Sequence, residues 1–501
     1  MDKVYEIIGE YKKYQKIISI LMPITQPFYM IYSLIYPFFT KAPNFKCISK
    51  INNQDIQYFN CEYSHDLCLQ NNYTFIKDKN TSLNNWAYAF DLYCDKEYYS
   101  PMISTSYFLG TLLGFLFLGK LPDKYGRKKI YMYLLYITSF CYLNILFPIS
   151  PIHIIIIFFI GGIINFGGNI NTLIILELIP REKSGIILGI ANAMYPLLGL
   201  IISLYFMFIN NYKIICSFFF VTISLSTFLC YQYLLETPKW LFSKNRIDEL
   251  IRVFEAISRI NERQIDFDIF MNKNKDIFKK KEEISEKNSN IYKKIYTIFE
   301  VLSFKSQRKN SVLLLFIYFS ISFIFYGIIL NLANLKGKFH ANSFMIFLGE
   351  TISCYYSGKL IDVFGRLIIM EYSLFIGSIF LLAYDLASSD LFRSIFLFLS
   401  MMGYSSNYSI IGIFISETFP TCIRSMMYSY LKFFSFLGPL FVPFISQKLG
   451  NKINYCFIIF GFIGYIMCFF LEETKGKELQ DIIPEEVNKD NFLKNNYLSE
   501  N

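Results

Sequence analysis

Apolar stretches of about twenty residues alternate with short polar turns through most of this chain. Twelve are read, at roughly 17–39, 102–119, 130–149, 152–176, 186–209, 212–235, 311–332, 341–358, 367–386, 391–416, 425–447 and 452–471. As a helix each is long enough to cross about 30 Å of hydrocarbon. Lipid offers a backbone no hydrogen-bond partners, so each stretch is predicted to be a transmembrane helix. The first is too long for a cleaved signal peptide, and no small-residue cleavage site follows it. Helices 1–6 fall within 17–235 and helices 7–12 within 311–471, with a charged linker at 236–310 and polar ends at 1–16 and 472–501. The predicted fold is therefore all-α and integral to the membrane, twelve helices in two pseudo-symmetric six-helix bundles, with a polar loop at 40–100.

A charged phrase recurs at the same place in each half. Gly119-Lys120-Leu121-Pro122-Asp123-Lys124-Tyr125-Gly126-Arg127 joins helices 2 and 3, and Gly358-Lys359-Leu360-Ile361-Asp362-Val363-Phe364-Gly365-Arg366 joins helices 8 and 9. Recurrence implies a duplicated membrane domain, a plan common among transporters.

The formal charge of +9 changes this picture only in its placement. Lys120, Lys124, Arg127, Lys128 and Lys129 crowd one loop, and many more cations lie between Lys239 and Lys309. With an even helix count both loops share a side with the termini, and the positive-inside rule makes that side cytoplasmic. The charge thus reads as a topology signal, and no nucleic-acid partner is expected. The linker also holds a short amphipathic piece, Ile247 to Ile260, and a low-complexity run around Lys273 and Lys279 that is expected to be solvated and partly disordered. The composition, 54% apolar and 19% aromatic, excludes an ordinary soluble domain.

Loop 40–100 then lies outside. Its Cys47, Cys61, Cys68 and Cys94 form an even set in an oxidising compartment, so two disulfides are expected, with three pairings open. Asn72 and Asn80 begin glycosylation acceptor patterns. No phosphate-binding loop and no HExxH motif occurs, and His65, His153 and His340 are isolated. Neither an enzyme nor a metal or cofactor site is expected.

The repeated phrase resembles the loop signature of the major facilitator superfamily. Further phrases resemble its organic cation/anion transporter family, which is related to the sugar porters. They are Ala42-Pro43, Phe90-Asp91-Leu92-Tyr93-Cys94-Asp95, Phe325-Tyr326-Gly327 and Glu417-Thr418-Phe419-Pro420 with Arg424, while Glu236-Thr237-Pro238-Lys239-Trp240-Leu241 and Glu473-Thr474-Lys475-Gly476-Lys477 are similar to motifs shared by sugar porters and organic ion transporters. Their order along nearly the whole chain carries the resemblance. It implies a carrier of small organic solutes, with the bilayer as partner and a proton or counter-transported ion as a candidate coupling partner. The alternatives are a sugar or neutral nutrient porter and a non-transporting receptor on the same scaffold. The membrane implied is the plasma membrane.

By the same resemblance Gly119, Asp123, Gly126 and Arg127, Gly358, Asp362, Gly365 and Arg366, and Glu177, Glu417 and Arg424 hold the cytoplasmic gate, Asp and Arg pairing across helix ends. Ser184 stands where the second half has Arg424, with Lys183 beside it as a replacement cation. An ionisable side chain in hydrocarbon costs about 2.5–3.5 kcal/mol or more, which makes Glu350 and Lys432 functional candidates. Counted along their helices they lie roughly 18 Å and 12 Å from the cytoplasmic ends. They are expected to pair or to share a water-filled cavity, unless Lys432 extends to the inner surface. Tyr318, Phe325 and Tyr408 match cavity aromatics of the family. Phe436 stands where related cation transporters carry Asp and anion transporters Arg, which favours a cationic, zwitterionic or neutral solute. Asn165 and Asn169, four apart on helix 4, are expected to add polar contacts from the first bundle.

Overall fold

A computed structural model describes residues 11–51, 55–61, 73–79, 81–263, 298–420 and 423–477. Asn72, Asn80, Cys68, Cys422 and the lysine-rich part of the linker lie outside the described residues.

The first half holds span 1 (Lys13–Thr25, a single turn Gln26–Tyr29, then Ile31–Phe39), span 2 (Tyr99–Leu118) and span 3 (Arg127–Leu146). Span 4 (Pro151–Ile164 and Gly167–Leu178), span 5 (Arg181–Phe208) and span 6 (Tyr212–Tyr233) complete it. The second half holds span 7 (Lys305–Leu330), span 8 (Phe339–Phe364), span 9 (Arg366–Leu386), span 10 (Asp390–Thr418), span 11 (Arg424–Ser435 and Leu437–Leu449) and span 12 (Ile453–Cys468). Among the described residues eight helices are long and apolar enough to cross a membrane, or nine with the bent pair of span 1. One of the eight, Arg424–Cys468, includes both spans 11 and 12. Spans 8 and 10 fall short because polar groups interrupt them, and those groups turn inward: Asn342, Glu350, Ser394, Ser400 and Asn407 are all buried.

Three spans are broken part-way, which periodicity does not reveal. Span 1 bends by 45° at Met30, just past Pro27. Span 4 stops at Ile164 and restarts at Gly167, and span 11 is interrupted at Phe436. A break frees backbone groups that lipid cannot satisfy, so they must bond inside the protein. At the span 1 break, Asn171 Nδ2 donates to the Met22 carbonyl at 2.9 Å and to Thr25 Oγ1 at 3.1 Å, and the Thr25 and Tyr131 hydroxyls lie 2.6 Å apart.

The outer loop departs from the all-α expectation. Loop 40–100 contains an antiparallel sheet of three strands, β1 (Phe45–Ile51), β2 (Asp55–Cys61) and β3 (Tyr73–Lys77), in the order β2-β1-β3. Phe45 pairs with Cys61 on one side and Lys77 on the other. The amphipathic linker piece Ile247–Ile260 is a docked helix. It buries Leu250, Phe254 and Ile257, and Asn261 behind it accepts from the Tyr14 backbone N–H at 2.9 Å.

The two halves meet on the face that carries loop 40–100 and part on the face that carries the basic loops. Near the first face, Gly199 of span 5 lies so close to span 8 that a Cβ there would sit 2.6 Å from the Phe347 ring. Phe38 stacks on Phe206 at 5.1 Å and meets Phe339 of span 8 edge-on at 5.3 Å. Lys41 Nζ stands 4.0 Å from the centre of that Phe339 ring, and Thr105 of span 2 donates to the Leu440 carbonyl of span 11 at 3.2 Å. At the other ends of spans 5 and 8, a Cβ on Gly185, Gly189 or Gly358 would meet nothing within 4 Å. The structure is thus closed on the loop 40–100 face and open between the halves on the basic face.

Candidate functional site

The next-to-last residue of each charged phrase is a glycine at positive φ, +109° at Gly126 and +106° at Gly365, where L side chains are strained. Each glycine also starts a span and faces a carboxylate. Glu236, just after span 6, accepts the backbone N–H groups of Arg127 and Lys128 at 3.0 and 3.1 Å. Glu473, just after span 12, accepts those of Arg366 and Leu367 at 3.0 and 2.9 Å. The carboxylates satisfy orphan donors and meet the positive ends of spans 3 and 9. The sequence places both acids in family-like phrases but assigns them no role, because their partners are about a hundred residues away.

The gate ion pairs stay within each half. Arg127 lies 3.2 Å from Asp123 and 3.1 Å from Glu177, and Arg366 lies 3.1 Å from Glu417. Thr474 Oγ1 donates to the other Glu417 oxygen at 2.6 Å. Arg424 bonds the Phe419 carbonyl at 3.3 Å. Asp362 is exposed and joins no ion pair among the described residues, so the expected Asp362–Arg366 pair is not formed. Lys183, Gly119 and Gly358 are exposed as well. The physical reason is competition: the Arg366 guanidinium is taken by Glu417 of span 10.

Between the halves, Glu350 on span 8 is 2% exposed, and its Oε2 has no hydrogen-bond partner among the described residues. It lies within electrostatic range of Tyr195 on span 5 and Cys354 on its own helix. Tyr195 in turn shares a 2.9 Å hydroxyl contact with Ser33 of span 1. Tyr408 stacks on Phe325 at 4.7 Å, and its hydroxyl lies 3.0 Å from that of Tyr326. Tyr326 meets Phe108 of the first half at 5.2 Å and Phe436 at 5.9 Å, and Phe436 stacks on Phe115 at 5.6 Å. Tyr318 is buried toward Tyr428 and Ser435 of span 11. Sequence reasoning named Tyr318, Phe325, Tyr408 and Phe436 but missed Tyr195, Tyr326, Phe108 and Phe115, whose roles depend on contacts between halves.

Lys432 does not pair with Glu350. Its ammonium donates to Asn169 Oδ1 of span 4 at 3.2 Å, across the two halves. It also stands 4.8 Å from the Phe115 ring centre and 5.5 Å from that of Tyr428. Asn165 is buried at the break of span 4, so it and Asn169 do not share one continuous helical face. Cys94 is disulfide-bonded; the side chains of Cys47, Cys61 and Cys68 are outside the described residues, and no pairing is assigned. Among the described residues no group of three or more His, Cys, Asp or Glu side chains is placed to hold a metal ion.

The halves thus bring together one acid, one base and a series of aromatic rings, and each half carries a capped, ion-paired helix start. The family model of the Major Facilitator Superfamily matches residues 98–384 and 339–495. The chain is 24% identical to a solute carrier family 22 member 15-like protein of Xenopus tropicalis, over 96% of this chain and 95% of that one. It is 22% identical to organic cation/carnitine transporter 2 of Mus musculus, over 81% of this chain and 72% of that one. Among solved structures, the inward-open xylose transporter XylE from E. coli matches with a TM-score of 0.62 and 13% identity, covering 92% of this chain and 97% of that one. That last likeness is one of fold alone. The chain belongs to the Major Facilitator Superfamily and is a multi-pass membrane transporter.

Proposed function

We propose that this transporter moves a small organic cation or zwitterion across the plasma membrane by alternating access, with both termini in the cytoplasm. The observation that carries this reading is the Glu350 carboxylate. It is buried, one oxygen is without a partner among the described residues, and Tyr195, within electrostatic range of it, is also within range of Tyr408 and Tyr326. An acid in the membrane interior is expensive and marks a solute or ion path, and aromatic faces attract organic cations. The relatives named for organic cation transport support the same class. Glu350 is also the group through which a proton or counter-transported ion would couple to flux.

The two halves rock about this cleft. The closure seen at Gly199–Phe347 and Phe38–Phe339 would open as the basic face closes. Uptake of a fluorescent organic cation by cells expressing the wild type, set against Glu350→Gln at equal surface expression, tests the reading. Loss of at least nine-tenths of uptake in the variant, about one factor of ten, is expected. Uptake of a hexose with none of the cation would reject the substrate class. Tight ligand binding with no flux in either direction would mean a receptor.

A further inference from the structure

Asp385 is the next-to-last residue of span 9, at the end opposite the charged phrase, and its side chain is only 1% exposed. Counted from Gly365 it corresponds to Leu146 counted from Gly126, so the repeated scaffold does not require an acid there. Asn454 Nδ2, from the start of span 12, donates to Asp385 Oδ1 at 3.3 Å. Asp385 Oδ2 and Asn454 Oδ1, on either side of that bond, are both buried and have no hydrogen-bond partner among the described residues. Two buried acceptors without a donor are costly. The last carbonyls of span 9 add the negative end of its dipole.

Lys336, in the turn between spans 7 and 8, answers this need only in part. Its ammonium stands 3.4 Å from Asp385 Oδ1 and 3.4 Å from the Asp385 carbonyl oxygen, both longer than ordinary hydrogen bonds. It leaves Oδ2 unmatched, and its side chain is 38% exposed. The Lys336 backbone is fixed independently, since its carbonyl accepts from the Tyr384 hydroxyl at 3.0 Å and from Asn342 Nδ2 at 2.9 Å. The side chain can therefore swing out while the turn keeps its place.

We propose that Asp385 Oδ2, the Asp385 carbonyl and Asn454 Oδ1 form a site for a small monovalent metal cation of sodium size, for which the Lys336 ammonium is a tethered stand-in. Carboxylate, amide and backbone oxygens are hard donors that suit such an ion. One carboxylate balances one charge, whereas a calcium ion takes six to eight oxygens and favours several carboxylates. The ion enters from the loop 40–100 face as Lys336 swings away. It fastens the end of span 9 to the start of span 12, outside the cleft that holds Glu350. The site is thus one of structural anchorage, apart from the solute path, and it stands independently of the organic-ion reading.

The test compares thermal unfolding of the purified full chain in sodium chloride and in caesium chloride at equal ionic strength. Sodium is expected to raise the midpoint by about 2 °C over the larger caesium ion. Lys336→Met, which removes the competing ammonium, is expected to lower the half-maximal sodium concentration about tenfold, a gain that a poorly folded variant would not show. Asp385→Asn is expected to remove the sodium shift. If neither the wild type nor Lys336→Met shows a sodium-specific shift, or if the shift survives Asp385→Asn, the proposal is overturned. A larger shift with calcium chloride would overturn the assignment to a monovalent ion.

Discussion

A methyl group on Gly365 would lie 2.6 Å from the Glu473 carboxylate oxygen. The glycine is required twice over, by this approach and by its φ of +106°. Gly365→Ala is expected to cost about 1–3 kcal/mol, read as a lower midpoint of thermal unfolding in detergent. Gly126→Ala, facing Glu236 at 2.4 Å, should behave alike. An unchanged midpoint in both would contradict the capping role.

Glu473 also makes an acid-sensitive contribution. Burial opposes its charge, yet backbone N–H donors from Lys475, Arg366, Leu367 and Thr474 prevail and hold its carboxyl below the ordinary 4.5. A depressed carboxylate stabilises the fold above its unfolded value and loses that contribution as pH falls through the folded one. The wild type should therefore lose more stability than Glu473→Gln as pH is lowered from about 4.5. Parallel pH curves would argue against it.

Arg366 and Glu417 are each about one-fifth exposed and lie 3.1 Å apart. Partial burial strengthens such a pair, and a double-mutant cycle with Arg366→Gln and Glu417→Gln should give a coupling of roughly 1 kcal/mol. A coupling near zero would place the pair among ordinary surface ion pairs.

Lys41 stands over the Phe339 ring where the halves meet, and burial pushes its ammonium down to about 8. The direction matters: a lysine depressed in the fold weakens this arrangement while it stays charged, and that cost is relieved as pH rises from about 8 toward its ordinary value. Unfolding midpoints of the wild type should thus gain on those of Lys41→Met between pH 8 and 10. A constant difference across that range would refute the assignment.

Gly199 and Phe347 interlock on the closed face. Gly199→Leu forces a branched side chain against the ring and should prise that face apart. A cysteine placed at Gly358, where the open face leaves space around the helix, reports the other end. Its labelling by an impermeant maleimide in inside-out vesicles is expected to slow severalfold once Gly199→Leu is added. Unchanged labelling would mean that the two faces are not reciprocally linked.

Much of this architecture can be read from the chain because hydrocarbon imposes a length and a polarity that sequence displays directly. The spans begin within about six residues of where apolarity alone puts them. Span 7 departs most, starting at Lys305, because its first turns are polar and continue the helix beyond the greasy run. The sheet around Phe45–Ile51 and Asp55–Cys61 is weakly signalled, because neither segment keeps the polar–apolar alternation along its length: Cys47-Ile48 and Tyr58-Phe59 interrupt it. The break at Phe436 leaves no mark in hydropathy, since an apolar residue suits both a helix and its interruption, whereas that of span 4 falls at polar Asn165, just before Gly167 and Gly168. For the site, chemistry was legible and partnership was not. Glu350 and Lys432 stood out as costly residues, but equal depth on two helices does not make them neighbours, and Asn169 took the lysine instead.

The two glutamate caps have a consequence for assembly. Glu236 follows the sixth span and fastens onto the third, and Glu473 follows the twelfth and fastens onto the ninth. Each bundle is therefore buckled by the last residues of its own stretch of chain. During synthesis the first bundle can be finished before the second exists, whereas the second stays unbuckled until the residues that follow its twelfth span have been made.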